Sequence, residues 1–404
     1  MFLSSFLLLQ GSGALRQPVS CTSFFVTVQS LTVTSKNPFQ IGFADGIFTF
    51  KPVFYYGQRS ECAELMNSYQ TNTILQIQEV PHMTQTINPR KAAIIGCGFV
   101  GSATAFTLMQ SRLFSELVLL DANEAKADGE AKDIAHGIPF SGQMKIYAGT
   151  YDDIADSAII IITAGANQKP GETRLDLVHK NVAIYKSIIP EISRRGFQGI
   201  LLIVSNPVDI LTYTALKLSG FPENRVIGSG TVLDTARLKY ALSEHLGVDS
   251  RSVHSFIIGE HGDSEIAAWS STNVSGIPLN TFCEMRGHYN HDAAMDRIAE
   301  EVKNSAYDII SKKQATYYGI AMSVKRICEC IIRNERSILP ISSMMHGEYG
   351  ISGISLSMPA IVGLNGIETH VPISLDADEA EKLRESAETL KKIAAELDLS
   401  AATN

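Results

Sequence analysis

The chain has 404 residues, 45% hydrophobic and 19% charged, with a formal net charge of −8. That length exceeds what one core supports, so two structural units are expected, and no basic excess is available for nucleic acid. Six cysteines are scattered along it, no pair repeats at zinc-ligand spacing, and neither a metal nor a disulfide framework is expected.

Residues 1–82 differ from the remainder. They carry Arg16, Lys36, Lys51 and Arg59 against Asp45, Glu61, Glu64 and Glu79, and show no sustained helical or strand periodicity. Phe2 to Leu9 is apolar, yet no basic residue precedes it and it is too short to span a bilayer, which argues against a secretory signal or an anchor. Met83 reads as a natural start. Residues 1–82 are therefore expected to be an extension of doubtful structure, such as a misplaced translation start would produce, that adds nothing to catalysis.

The first strong signal is Gly96-Cys97-Gly98-Phe99-Val100-Gly101, which lies between the apolar run Lys91 to Ile95 and a helical stretch. Gly96 lets the chain turn off its strand, Gly98 lets backbone approach a pyrophosphate, and Gly101 lets the helix pack closely on the sheet. The helix N-terminus then offers free N–H groups to phosphate. Asp121 ends the next apolar run, Leu117 to Leu120, where a carboxylate can accept both ribose hydroxyls and would repel a 2′-phosphate. Strand, glycine loop, helix, strand and terminal acid in that order predict a dinucleotide site that prefers NAD to NADP.

Strand and helix signals then alternate. Strands are expected at Ala92 to Ile95, Leu117 to Leu120, Ile159 to Thr163, Ile200 to Val204 and Arg225 to Ile227; helices at Val100 to Gln110, Arg174 to Arg194 and Val208 to Ser219. Continuous apolar strands suit a parallel sheet covered on both faces, so the fold class is α/β, a Rossmann-type doubly wound sheet. After Thr231 the order changes: a helix at Leu233 to Leu246, a strand at Val253 to Gly259, a helix at Ala293 to Lys313, and strands with turns from Ser337 to Gly363. The expected division is 83–230 for dinucleotide binding and 231–400 for an α+β substrate domain. A final helix over Asp376 to Asp398 aligns Leu383, Ala387, Leu390, Ala394 and Leu397, with Asp376 and Glu379 placed as a capping box. Cys328 and Cys330 point to different helix faces and are read as reduced thiols.

Hydride transfer to a 2-oxo acid needs a cation for the carboxylate, a proton donor for the oxygen and exclusion of water. Asp234 and Arg237 share one helix face, and His261 follows a strand within GEHGD. A histidine titrates near neutrality and can give or take the proton, while a carboxylate such as Asp234 would fix its tautomer. Taken singly, each has a plainer reading: a turn histidine, and a helix-surface arginine paired with Asp234. The polar stretch GANQKPGETRLDL, from Gly165 to Leu177, is bracketed by Gly165, Pro170 and Gly171 and could form a lid that carries Arg174 over a substrate carbonyl, or an ordinary loop.

Together these motifs resemble the lactate and malate dehydrogenase family from about Arg90 to the C-terminal helix. The resemblance implies that His261 of GEHGD is the proton donor and acceptor, with Asp234 of LDTAR as its partner, and that Arg237 binds the substrate carboxylate through two parallel hydrogen bonds. It further implies that Arg174 polarises the carbonyl, that Asn206 of SNP bonds substrate and orients cofactor, and that Thr316 of ATYYG lines the substrate pocket. Val100, Lys126, Tyr151, Gly165 and Ala166 join Gly96, Gly98, Gly101 and Asp121 on the cofactor side. At position 168 the malate-specific members hold an arginine for a second carboxylate; Gln168 offers no charge and suits pyruvate's methyl group. Bacterial members also bind fructose 1,6-bisphosphate at a subunit interface through positions matching Lys239, where an arginine is usual, and His254; an ordinary interface charge is the alternative. The implied protein is a cytoplasmic homotetramer of fermentative glycolysis that interconverts pyruvate and L-lactate. The alternatives are a dehydrogenase for malate or a bulkier 2-oxo acid, and a catalytically silent NAD-binding structural protein.

Overall fold

The structure is a computed structural model that describes residues 39–44, 47–52, 86–166 and 174–399. The chain divides into two compact units, Met1–Pro81 and His82–Asn404. In the first, β1 (Phe39–Ala44) and β2 (Ile47–Pro52) pair antiparallel, Ala44 opposite Ile47. Composition averaged over residues 1–82 hides this hairpin. Its local signal is Asp45-Gly46 standing between the alternating Phe39, Ile41, Phe43 and Phe48, Phe50.

The second unit opens with the expected alternation: β3 (Asn88–Ile95), α1 (Phe99–Ser111), β4 (Glu116–Leu120), α2 (Glu124–Ala135), β5 (Lys145–Ala148), β6 (Ser157–Ile162), α3 (Arg174–Ser193), β7 (Ile200–Ile203), α4 (Val208–Ser219) and β8 (Val226–Gly228). The six strands lie parallel in the order β5-β4-β3-β6-β7-β8. The direction of growth reverses between β3 and β6, which opens a crevice at their carboxyl ends. The strand β6 shows why such strands read as unbroken apolar runs. Ile160 and Ile162 enter one core with Val178, Tyr185 and Leu211, while Ile159 and Ile161 enter the opposite core with Leu108, Ala131 and Ile327. Successive side chains of a strand point to opposite faces, and both faces here are covered.

The chain continues through α5 (Val232–Leu246), β9 (Val253–His254), β10 (Ile257–Gly259), β11 (Glu265–Ala267), β12 (Asn273–Val274), β13 (Ile277–Pro278), α6 (Leu279–Met285), α7 (His291–Lys313), α8 (Tyr318–Ile332), β14 (Ser337–His346), β15 (Ser352–Gly363), β16 (Gly366–His370) and α9 (Ala377–Ala395). Strand β14 pairs antiparallel with β8 through Ser342 and Gly228, and β15, β16, β10 and β11 extend the same sheet to eleven strands. The expected strand Val253 to Gly259 is two: β9 joins β12 and β13 in a separate small sheet, and β10 stays in the large one. The break is fixed from the side, because buried Ser255 bonds Thr272 through their hydroxyls at 2.7 Å and Phe256 accepts the Ala268 N–H. The capping box of α9 forms as the sequence predicts, with Asp376 accepting from the Glu379 N–H at 2.8 Å and Glu379 accepting from the Asp376 N–H at 3.0 Å.

Candidate active site

The glycine loop follows β3 and delivers the N-terminus of α1, capped by Gly98, to the crevice. A Cβ on Gly101 would lie 1.9 Å from the Gly96 carbonyl oxygen, so this position must be glycine for the helix to sit against the strand end. Gly98 is the opposite case. A Cβ there would meet nothing within 4 Å, which leaves the bare backbone facing open space. Asp121 stands at the end of β4, its Oδ2 accepting the Cys97 N–H at 2.7 Å and its Oδ1 the Asn123 N–H at 2.9 Å. Each oxygen retains a lone pair for a further donor. Burial, reinforced by Asp121, pushes the Cys97 thiol up to about 12, so it is no nucleophile at neutral pH.

Gly165 and Ala166 follow β6, and Asn206 follows β7. Buried Asn181 of α3 ties these ends together, its Oδ1 accepting the Ala166 N–H at 2.7 Å and its side-chain N–H donating to the Asn206 carbonyl at 2.7 Å. This clamp is absent from the motif reading, because Asn181 lies within an unremarkable helix. Val100 is in the first turn of α1, Lys126 is exposed in the first turn of α2, and Tyr151 is half-buried after β5, its ring facing Arg195. Thr316 lies half-buried between α7 and α8. The next residue, Tyr317, stacks on Phe99 of the glycine loop with ring centroids 5.4 Å apart, so the ATYYG segment borders the cofactor end of the crevice.

The other end is built by α5 and the turn after β10. Thr231 donates its hydroxyl to the Ile257 carbonyl at 2.6 Å, and Thr235 accepts the Ile257 N–H at 2.8 Å. These two contacts lock the start of α5 to β10 and set Asp234 beside His261. Asp234 is buried, its side chain 1% exposed; Oδ2 meets His261 Nδ1 at 2.5 Å and Oδ1 accepts from Arg237 Nη1 at 2.8 Å. Burial alone would raise the Asp234 carboxyl, but His261 and Arg237 outweigh it and hold it below the usual carboxylate range. Burial alone would lower His261. The adjacent Asp234 carboxylate prevails and raises the imidazole to about 9.

Asp209 is a site residue that the motif reading missed. It sits in the first turn of α4, three residues past Asn206, and its Oδ2 accepts the His261 backbone N–H at 2.8 Å while Oδ1 accepts the Ser357 hydroxyl at 3.1 Å. It thereby joins the Asn206 turn to the histidine turn. In the sequence it stands at the helix-opening SNPVD segment as an ordinary N-terminal acid, and only its burial sets it apart. Lys239 lies further along α5, where burial lowers its pKa, and His254 is exposed on β9, against which α5 packs. Gln168 lies outside the described residues, as does most of the lid, and Arg174 is described only as the first residue of α3. Cys97, Cys283, Cys328 and Cys330 are buried free thiols; Cys21 and Cys62 lie outside the described residues.

Two family models cover most of this unit: "lactate/malate dehydrogenase, NAD binding domain" matches residues 90–228 and "lactate/malate dehydrogenase, alpha/beta C-terminal domain" matches residues 231–398. The chain belongs to the lactate/malate dehydrogenase family. It is 55% identical over 310 residues to an L-lactate dehydrogenase of Acetivibrio thermocellus, a match spanning 77% of this chain and 98% of that protein. It is 52% identical over 302 residues to L-lactate dehydrogenase 1 of Clostridium acetobutylicum, across 75% and 96% of the two chains. Among solved structures, the minor L-lactate dehydrogenase of Enterococcus mundtii in its ligands-bound form superposes with a TM-score of 0.75 at 44% identity, across 77% of this chain and 99% of that one. As a member of this family the protein is an NAD-dependent oxidoreductase acting on a 2-hydroxy acid, with a Rossmann-type half followed by an α/β half. Its residues fit the dinucleotide: the open backbone at Gly98, the forced glycine at Gly101 and the carboxylate of Asp121 form a cradle for pyrophosphate and ribose.

Proposed function

We propose that the protein interconverts pyruvate and L-lactate, with His261 as proton donor and acceptor. One arrangement supports this most: a buried carboxylate, Asp234, holds the imidazole with one oxygen and the Arg237 guanidinium with the other. The chemistry that NAD supplies when bound is hydride transfer. With Nδ1 engaged by Asp234, His261 presents Nε2 to the substrate oxygen and gives its proton there as reduction proceeds. Among the described residues only Nη1 of Arg237 is engaged, which leaves Nη2 and Nε for two parallel bonds to a substrate carboxylate. Asn206, held by Asn181, bonds the substrate and orients the cofactor, and Thr316 lines the pocket. Arg174 polarises the carbonyl, and Gln168 selects pyruvate because it offers no counter-charge to a second carboxylate.

The finer readings follow the same division. Residues 83–230 form the dinucleotide half and 231–400 the substrate half, while residues 1–82 take no part in catalysis; the family models match residues 90–228 and 231–398, and the 310 residues shared with the Acetivibrio thermocellus protein span 98% of that protein. A homotetramer is supported by an apolar face on the packed helices α1 and α8, where Phe99, Phe106, Tyr318 and Met322 are all exposed. Lys239 and His254 receive fructose 1,6-bisphosphate at a subunit contact. A cytoplasmic location and a place in fermentative glycolysis complete the reading; no helix among the described residues is long and apolar enough to cross a membrane.

The test is loss of NADH absorbance with pyruvate, oxaloacetate and longer 2-oxo acids, each with and without fructose 1,6-bisphosphate. Preferred turnover of pyruvate is expected. A bulkier preferred acid would replace the substrate assignment, inertness toward every acid would overturn the enzymatic reading, and a pyruvate curve unmoved by the sugar bisphosphate would remove the effector site.

A further inference from the structure

Glu265 opens β11 directly opposite Gly259 of β10, so the intervening turn brings its carboxylate back to the histidine. One oxygen of Glu265, one of Asp234 and a ring nitrogen of His261 lie within 4.8 Å of one another. Asp234 is occupied on both oxygens, whereas Glu265 is held through its backbone, its N–H donating to the Gly262 carbonyl at 3.2 Å, and among the described residues its carboxylate has no hydrogen-bond or ion-pair partner. Glu265 also faces a cavity of about 290 Å³ against α7, where Asp296, Glu300 and Lys303 are exposed. The carboxylate therefore stands between the histidine cluster and a cavity edged by the charged groups of α7.

We propose that Glu265 is a positioning residue that keeps the proton on His261: its carboxylate, brought back by the turn after β10, is a second negative group beside the imidazolium. This rests on His261 being the proton donor. The charged groups facing the pair are Asp234 and Arg237 from α5, Asp209 from α4 at the His261 backbone, and Asp296, Glu300 and Lys303 from α7. Burial, with the charge of Asp234 added, raises Glu265 to about 8, against the pull of His261, Arg237 and Lys303. The ionised Glu265 carboxylate in turn raises His261, adding to the larger effect of Asp234.

The experiment is the pH profile of kcat/KM for pyruvate in the full chain, comparing wild type, Glu265→Gln and Glu265→Asp. Glu265→Gln keeps the shape and removes the charge, so the alkaline midpoint falls by about one pH unit or more while turnover on the acid side persists. Glu265→Asp keeps the charge but draws it back, and its midpoint falls less. A Gln variant that is less active with an unmoved midpoint would show a purely structural role and overturn the inference. Should the Gln variant not fold, an unmoved midpoint in Glu265→Asp overturns it equally. A wild type inactive with pyruvate would remove the His261 reading and this inference together, whereas an active wild type with unmoved variants removes Glu265 alone.

Discussion

The crevice has two walls built on different principles. At the glycine loop the working groups are backbone, supplied by six consecutive residues and one acid, and the absence of side-chain atoms at Gly98 and Gly101 is what shapes the surface. At the histidine turn the working groups are side chains from α4, α5, β11 and the loop after β10, and what shapes them is mutual charge in a buried place. In the first wall the shape of the glycine loop is local, and parallel strand pairing brings Asp121 to it. The second exists only once a helix has docked on a strand, since Asp234 reaches His261 because Thr231 and Thr235 grip Ile257.

If that contrast is right, the walls fail differently. The largest expected effect is at the charged wall: His261→Asn lowers kcat for pyruvate by about 10²–10⁴-fold and leaves NADH binding, read by fluorescence titration, unchanged. Loss of both together would mean the walls are not separate. Next, Gln168→Arg supplies a cation for a second carboxylate and moves the oxaloacetate-to-pyruvate ratio of kcat/KM toward oxaloacetate by about a hundredfold; an unchanged ratio in steady-state kinetics refutes the role given to the lid. Arg237→Lys keeps the charge but not the planar fork, so kcat/KM for pyruvate drops by about ten- to a hundredfold, mainly through KM. An equal response to pyruvate in both proteins would show that one bond suffices.

The smallest effects separate the two glycines. Gly101→Ala drives a methyl group into the Gly96 carbonyl and costs about 1–3 kcal/mol in denaturant unfolding. Gly98→Ala has room in the folded protein and changes stability by less than about 0.5 kcal/mol, yet weakens NADH because the added methyl occupies the face left for pyrophosphate. Equal stability losses would erase the distinction drawn between them.

Legibility followed the same line. Gly96 to Gly101, Asp121, the parallel strands and the α9 capping box were all readable, since each depends on residues near in sequence or on a period of two or of 3.6. The strand expected from Val253 to Gly259 was misjudged at its middle because a hydroxyl pair between Ser255 and Thr272, far apart in sequence, decides where one sheet ends. Asn181, Asp209 and Glu265 carried no motif that chemistry alone would single out. A polar residue in a helix or at a strand end looks the same whether solvent or a catalytic turn lies beyond it.

The amino-acid sequence alone determined the doubly wound sheet and the glycine loop with an acid at the end of the next strand, and it singled out the histidine, aspartate and arginine proposed for the chemistry, because turn geometry, strand alternation and side-chain chemistry are local properties. Tertiary structure decided that Asp234 holds His261 and Arg237 at once, that Asp209 fixes the histidine backbone, and that Glu265 stands within reach of both with a cavity behind it. Those outcomes depend on distance and burial, which set the strength of every charge interaction and which no linear order of residues contains.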